Sequence, residues 1–183
     1  MSVTGVTETS QYLSFKLDQE IYALNISRVR EVLDFSDITR VPRMPEFMRG
    51  VINLRGGVVP VVDLRLKFGL PSTDKTVDTC IIILEISFEG ETTILGALAD
   101  SVQEVVTLES DEIEPPPRIG TRLNTEFIKG MGKRNDEFVI ILDVDRVFSS
   151  EELVVIQTTD DLSSTNDTVA KNPNEMNMQE IGV

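Results

Sequence analysis

Two blocks of the chain match each other in register, and this internal repeat restricts the fold more than any other feature. Residues 29–32 (VREV) match residues 102–105 (VQEV), 73 positions later. Residues 46–50 (EFMRG) match residues 126–130 (EFIKG), 80 positions later. Each block contains several identities at its own offset, which is typical of a duplicated unit rather than of two unrelated strands.

Each unit is rich in short β-type runs. Residues 12–17 alternate between apolar and polar, and residues 21–26 continue after a short turn, which predicts a hairpin. About five such strands per unit would leave exposed edges, and closure into a barrel removes them. We predict a mainly β fold: two similar five-stranded SH3-like β-barrel subdomains packed side by side, with a few short helices. The approximate repeat units are 11–76 and 77–150.

Short helical segments are predicted at Glu46–Met48, Asp63–Phe68, Asp143–Phe148 and 150–157. The last begins with Ser149 and Glu152 in the spacing of a capping box. Asp63 and Asp143 occupy equivalent places in the repeat, where paired carboxylates could serve a glycosidase or a divalent metal. Because each follows an apolar strand and precedes a helical pattern, we interpret them as N-caps.

The two ends of the chain lack a sustained apolar pattern. We predict that residues 1–10 and the acidic tail 158–183 are disordered and that one domain spans 11–157. The net charge of −14, from 17 basic and 31 acidic residues, disfavours nucleic acid and anionic lipid as partners. No apolar run approaches the ~20 residues of a membrane helix, and no secretory signal pattern begins the chain, so a cytoplasmic location without direct membrane insertion is expected.

Catalytic chemistry finds little support in the sequence. The chain has no His, which removes the usual general base and the commonest metal ligand. Its one cysteine, Cys80, begins the apolar run CIIIL, where a buried and inert thiol is the ordinary occupant. No phosphate-binding loop is present. We expect no enzyme activity, no metal and no cofactor.

Residues 50–65 (GVINLRGGVVPVVDLR) resemble the signature segment of CheW-like domains, in which N-L-R-G precedes an apolar run and D-L-R. The resemblance covers about 11–157. It implies a double five-stranded barrel and a non-catalytic adaptor role in bacterial chemotaxis, linking chemoreceptors to the chemotaxis histidine kinase. It also implies recruitment from the cytoplasm to membrane receptor arrays.

By the same resemblance, one surface would bind the helical hairpin tip of the chemoreceptor cytoplasmic domain. The seam, meaning the space between the two barrels, would offer an apolar groove for a helix with charges at its rim. We predict an ion pair between Glu31 and Arg55 at that rim. The receptor-binding positions implied are Val29, Glu31, Gly50, Asn53, Leu54, Arg55, Gly56, Cys80 and Val102.

A second surface would bind the regulatory domain of the kinase, which the resemblance implies has the same double-barrel fold. The implied kinase-binding positions are Asp34, Phe35, Val58 and Ile119.

Other interpretations remain open at this point. Val29 and Val102 could be core valines, and residues 53–57 could be needed only for a tight hairpin. The chain could instead be a double-barrel module that binds a small ligand, or an adaptor for a chemosensory pathway other than flagellar motility.

Overall fold

A computed structural model describes residues 8–116 and 125–158 of the chain. The strands are β1 Thr9–Leu17, β2 Glu20–Asn25, β3 Val29–Asp34, β4 Met48–Leu54, β5 Gly57–Asp63, β6 Cys80–Phe88, β7 Glu91–Ala99, β8 Ser101–Glu109, β9 Ile113–Glu114, β10 Ile128–Arg134 and β11 Glu137–Leu142. The α-helices are α1 Leu64–Lys67, α2 Val144–Val147 and α3 at 150–158. Three short 3-10 helices lie at Ile26–Arg28, Ser110–Glu112 and Thr125–Phe127.

The strands form two sheets, which confirms the mainly β prediction. The six-stranded sheet has the order β8-β1-β2-β11-β10-β9, and the five-stranded sheet has the order β3-β6-β7-β5-β4. The first five strands of the larger sheet therefore correspond one by one to the five strands of the smaller sheet. The duplicated sequence pattern is matched by two sheets of one topology.

Each sheet takes a hairpin from the opposite repeat unit, so 11–76 and 77–150 do not each form one sheet. The β1–β2 hairpin pairs with β8 and β11, and the β6–β7 hairpin pairs with β3 and β5. The larger sheet also has six strands rather than the predicted five, because β9 pairs with β10. Its counterpart in the smaller sheet is a single bridge between Thr39 and Val51.

Both sheets curl around cores of their own. In the larger sheet, a Cβ built on Gly132 of β10 would lie 2.8 Å from the Leu108 side chain of β8, although three strands separate β10 from β8 in the sheet. Tyr12, Val106 and Ile141 belong to the same small core. The smaller sheet has an equivalent core that includes Ile52 and Ile83, among others. This curvature brings the outer strands of each sheet towards one another.

A third and larger cluster lies in the seam. Phe15 and Tyr22 of the β1–β2 hairpin belong to it together with Ile82 of β6, so the exchanged hairpins supply both sides. The rings of Phe15 and Tyr22 stack with centroids 5.9 Å apart. The described part of the seam is therefore filled by side chains, which corrects the expectation of an open apolar groove along its length.

The capping aspartates behave as predicted. Asp63 accepts a hydrogen bond from the backbone N–H of Arg65 at 3.0 Å, and Asp143 accepts one from the N–H of Asp145 at 3.2 Å. The predicted helix at Glu46–Met48 is wrong. Residues 46–47 form a turn, because Met48 donates its N–H to the Pro45 carbonyl and starts β4 by pairing with Val62.

Helix α3 packs its apolar face onto the seam cluster. Leu153 and Ile156, three positions apart, are both buried. Glu152 caps the helix by accepting from the Ser149 N–H at 2.9 Å and also binds Lys67 Nζ, which lies 2.6 Å from both carboxylate oxygens. Burial opposes ionisation of Glu152, but the hydrogen bonds from Lys67 and Ser149 outweigh it and lower its pKa.

The Lys67–Glu152 pair should stabilise the fold in a pH-dependent way. Because the pKa of Glu152 is lowered in the folded chain, the stabilisation is present at neutral pH and is lost as the pH falls through that lowered pKa. We expect Lys67→Gln to reduce the free energy of unfolding by roughly 1 kcal/mol at pH 7 and by much less at an acidic pH that protonates Glu152. Urea unfolding at both pH values measures this, with Lys133→Gln as an exposed control. An equal effect of Lys67→Gln at both pH values would contradict the assignment.

Candidate protein-interaction site

A two-residue turn joins β4 to β5 within the NLRGG segment. Leu54 pairs with Gly57, and Arg55 and Gly56 between them have φ values of 51° and 84°. Positive φ at both central residues defines the hairpin turn whose twist matches that of the strands. The Asn53 side chain accepts a hydrogen bond from the Gly56 N–H at 2.9 Å and fixes the turn. Residues 53–57 therefore do form a tight hairpin turn.

Arg55 and Glu31 form the predicted ion pair. The two guanidinium nitrogens lie 3.0 and 2.8 Å from the two carboxylate oxygens, a bidentate arrangement. The hydrogen bond to Glu31, with its charge, raises the pKa of Arg55. The Arg55 side chain is 75% exposed and that of Glu31 is 25% exposed. Arg55 is thus held in one direction while most of its surface stays open to a partner.

A related but looser pair exists in the larger sheet, although its arginine matches Leu54 rather than Arg55 in the repeat. Arg134 Nε lies 3.5 Å from a Glu104 oxygen, and Glu104 corresponds to Glu31 in the repeat. Both pairs connect strands that are far apart in the order of their sheets, so both help to close the curl. An exposed pair of this kind contributes little stability.

The equivalent turns of the two sheets differ in their first central residue. The equivalent turn after β10 has Asn135 and Asp136, with φ values of 52° and 63°. Asn and Asp tolerate the left-handed region well, whereas Arg does so only at a cost. Arg55 therefore occupies a position where its backbone is not favoured, which points to a use for its side chain.

A cleft of about 420 Å³ opens beside this turn, and we call it the turn-side cleft. Arg55, Val58 and Glu91 are among the residues that line it. Arg30 also lines it and forms an ion pair with Glu85. Its complete lining is Arg30, Leu54, Arg55, Val58, Val59, Glu91, Thr92, Thr93, Ile94 and Gln157. The cleft offers polar and charged groups over a short apolar floor.

The remaining receptor-side positions lie elsewhere. Val29 and Val102 are half-buried and pack against the edge of the seam cluster, where a partner can reach part of each side chain. Gly50 is buried, and a Cβ there would lie 2.0 Å from the Thr39 carbonyl oxygen. Cys80 is also buried. Gly50 and Cys80 therefore support the surface from within and do not present a side chain to a partner.

The kinase-side positions do not form one patch. Asp34 is exposed and pairs with Cys80 at the start of β6, and Phe35 packs on the core of the smaller sheet beneath Lys75. Val58 lies at the other end of that sheet, beside Arg55 in the turn-side cleft. Ile119 lies outside the described residues.

The sequence reasoning missed Val32, an exposed apolar residue of β3. Val32 is 42% exposed and lies on the outer face of β3 between Arg30 and Asp34. The alternation of VREVLD places these three on one face, so an apolar residue among two charges could have identified it. Val105, its counterpart in β8, is 47% exposed. Arg30, which also lines the turn-side cleft, lies on this same outer face of β3.

Cys80 has the properties of a structural thiol. It is 7% exposed, and burial is the main cause that raises its pKa. We expect alkylation by iodoacetamide at about pH 8 to be slower in the folded chain than in urea by more than about a hundredfold, because labelling needs a transient opening. Mass spectrometry of the labelled fraction over time measures the two rates. Labelling of the native chain at the unfolded rate would contradict burial of the thiol.

Residues 8–116 and 125–158 contain neither a metal-binding cluster nor a membrane-spanning helix. No cluster of three or more His, Cys, Asp or Glu is arranged to hold a metal ion. No helix in this part of the chain has the length and apolar character needed to cross a membrane.

A family model described as the CheW-like domain matches residues 11–152. The chain belongs to the CheW-like domain family. It is 32% identical over 154 residues to the chemotaxis protein CheW of Klebsiella aerogenes, covering 84% of this chain and 90% of that protein. It is 33% identical over 144 residues to the chemotaxis protein CheW of Helicobacter pylori, covering 79% of this chain and 84% of that protein.

A solved structure agrees with the CheW-like assignment. The scaffolding protein TtCheW of Thermoanaerobacter tengcongensis superposes with a TM-score of 0.70 at 36% sequence identity, covering 83% of this chain and 96% of that one. The CheW-like family resemblance inferred from residues 50–65 is therefore confirmed. Arg55 lies within that segment, and its partner Glu31 lies on β3.

Proposed function

We propose that this chain is a non-catalytic adaptor that couples chemoreceptors to the chemotaxis histidine kinase. Membership of the CheW-like family and similarity to chemotaxis proteins and to a scaffolding protein support a chemotaxis scaffold. The observation that carries the receptor side is Arg55, held by Glu31 in a strained turn and left mostly exposed beside a cleft.

The receptor surface we propose is built around the turn-side cleft. Arg55 and Asn53 would contact polar groups of the receptor hairpin, while Leu54 and Gly56 shape the turn. Glu31 would orient Arg55. Val29 and Val102 would add apolar contact at the edge of the seam, supported from within by Gly50 and Cys80. A charged rim next to half-buried valines suits an amphipathic helix.

The kinase surface we propose is centred on Asp34 and Phe35 at the opposite end of the smaller sheet, with Ile119 as a further candidate. Val58 lies beside Arg55, so it is better placed to support the receptor contact. Separate surfaces would let one adaptor bind both partners at once, as coupling requires. Such a complex would hold the chain at membrane receptor arrays although it is itself cytoplasmic.

A reconstituted signalling assay tests the proposal. Purified kinase and receptor cytoplasmic fragments are mixed with and without the chain, and kinase autophosphorylation is measured. We expect the receptor to change the kinase rate only when the chain is present. In a second arm, Asp34→Lys should abolish this effect and weaken kinase binding while receptor binding is kept. A kinase rate indifferent to the chain would reject the adaptor function.

A further inference from the structure

A second cleft, on the loop between β3 and β4, collects positive charge in a strongly acidic protein. It has a volume of about 390 Å³, within the range of ligand sites, and three arginines, Arg40, Arg43 and Arg49, line it. Glu46 is the one acidic residue in its lining. The chain as a whole carries −14. The cleft therefore has a local excess of two positive charges, whereas the chain as a whole is strongly negative.

Two of these arginines have no acidic partner. None of the ion pairs within the described residues includes Arg40 or Arg43, and both side chains belong to exposed residues. Arg49 has a long contact of 3.5 Å with Asp63, whose carboxylate also caps α1. In the turn-side cleft, by contrast, Arg30 and Arg55 are both paired with glutamates. We call the cleft lined by Arg40, Arg43 and Arg49 the arginine cleft. Its guanidinium groups are available to an anion from outside.

The backbone of this loop is constrained at two places. Arg43 has a φ of 62°, in the left-handed region that a non-glycine residue adopts at a cost, and it lies between Pro42 and Pro45. Thr39 fixes the start of the loop through two backbone hydrogen bonds to Val51, at 2.9 and 2.8 Å. The loop is thus anchored on β4 rather than free. A loop whose backbone is already ordered loses less entropy when it binds a ligand.

We propose that this cleft, lined by Arg40, Arg43 and Arg49, binds a small molecule that carries phosphate groups. Guanidinium groups are planar forks that match phosphate oxygens with two hydrogen bonds each. More than one arginine at one cleft suits an anion of multiple charge. Neither Arg55 nor Asp34 lines this cleft, so its ligand would be a third partner of the adaptor.

Titration calorimetry with inorganic pyrophosphate on the full chain, at low ionic strength, tests this site. We expect binding that weakens when salt is added. Arg43→Gly and Arg40→Gln should each raise Kd by about tenfold or more, the effect of losing a charge-assisted contact. Arg43→Lys, which keeps the charge but not the fork, should have an intermediate effect. Arg134→Gln, on the larger sheet, is the matched control and should leave Kd unchanged.

Measurements of Tm distinguish a loss of binding from a loss of folded protein. Glycine accepts a positive φ without strain, so Arg43→Gly should not lower Tm while it weakens binding. The proposal is overturned by an absence of pyrophosphate binding, by equal changes in the Arg134→Gln control, or by citrate binding as tightly as pyrophosphate. The last result would mean that the cleft attracts any multivalent anion.

Discussion

Replacing Arg55 by glutamate is expected to abolish the effect of the receptor on kinase autophosphorylation in the reconstituted assay. The Glu31 carboxylate oxygens now lie about 3 Å from the Arg55 guanidinium. The change places a second carboxylate beside Glu31 and reverses the charge offered to the receptor. Because the side chain is largely exposed, the fold should be little affected, and Tm should change little. The measured quantity is the difference in kinase rate with and without receptor.

The double variant Glu31→Arg with Arg55→Glu distinguishes a receptor contact from a purely structural role of the ion pair. It exchanges the two charges, so the ion pair can still form and can still help to close the smaller sheet. If Arg55 contacts the receptor, the double variant should remain inactive. Recovery of the receptor effect in the double variant would mean that the pair serves only the fold.

The second large effect concerns stability. Phe15 is fully buried in the seam cluster, where it stacks on Tyr22 and packs between the exchanged hairpins. We expect Phe15→Ala to lower the free energy of unfolding by about 3–5 kcal/mol, the cost of a large cavity in a core. That is a large part of the ~5–15 kcal/mol by which a domain of this size is stable.

Urea unfolding of Phe15→Ala beside Val105→Ala measures this effect. Val105 lies on β8 next to β1, but its side chain is 47% exposed, so its loss should cost little. Similar losses for the two variants would contradict a seam held by the hairpin of β1 and β2.

The sequence predicted strands and caps well because these depend on local pattern. The alternation of residues 12–17 gives the hairpin, and Asp63 and Asp143 follow a strand and precede a helix, which is the N-cap pattern. It did not predict the exchange of hairpins, since the β1–β2 and β6–β7 patterns suit either sheet equally. Strand β9, at two residues, is too short to leave a periodic signal.

The site was predictable in part. Glu31 and Arg55 were expected to pair because the resemblance placed both at one rim, and they do. The apolar run after Cys80 predicted that its thiol is buried, and it is. Burial of Gly50 could not be deduced from the resemblance, because a residue within an interaction segment need not present its own side chain to the partner. The arginine cleft was missed because Arg40, Arg43 and Arg49 are separated by apolar residues and no local motif joins them.

The most direct test of the account compares two ion pairs, each of which connects distant strands of one sheet. Binding of a receptor cytoplasmic fragment is measured by calorimetry for the wild-type chain, for Arg55→Ala and for Arg134→Ala. Each variant removes the arginine of one exposed pair, and only Arg55 lies in the proposed receptor surface. We expect Arg55→Ala to raise Kd by about tenfold or more, as for a central interface residue, and Arg134→Ala to leave it unchanged. Equal Kd values for the wild-type chain and Arg55→Ala would contradict the account.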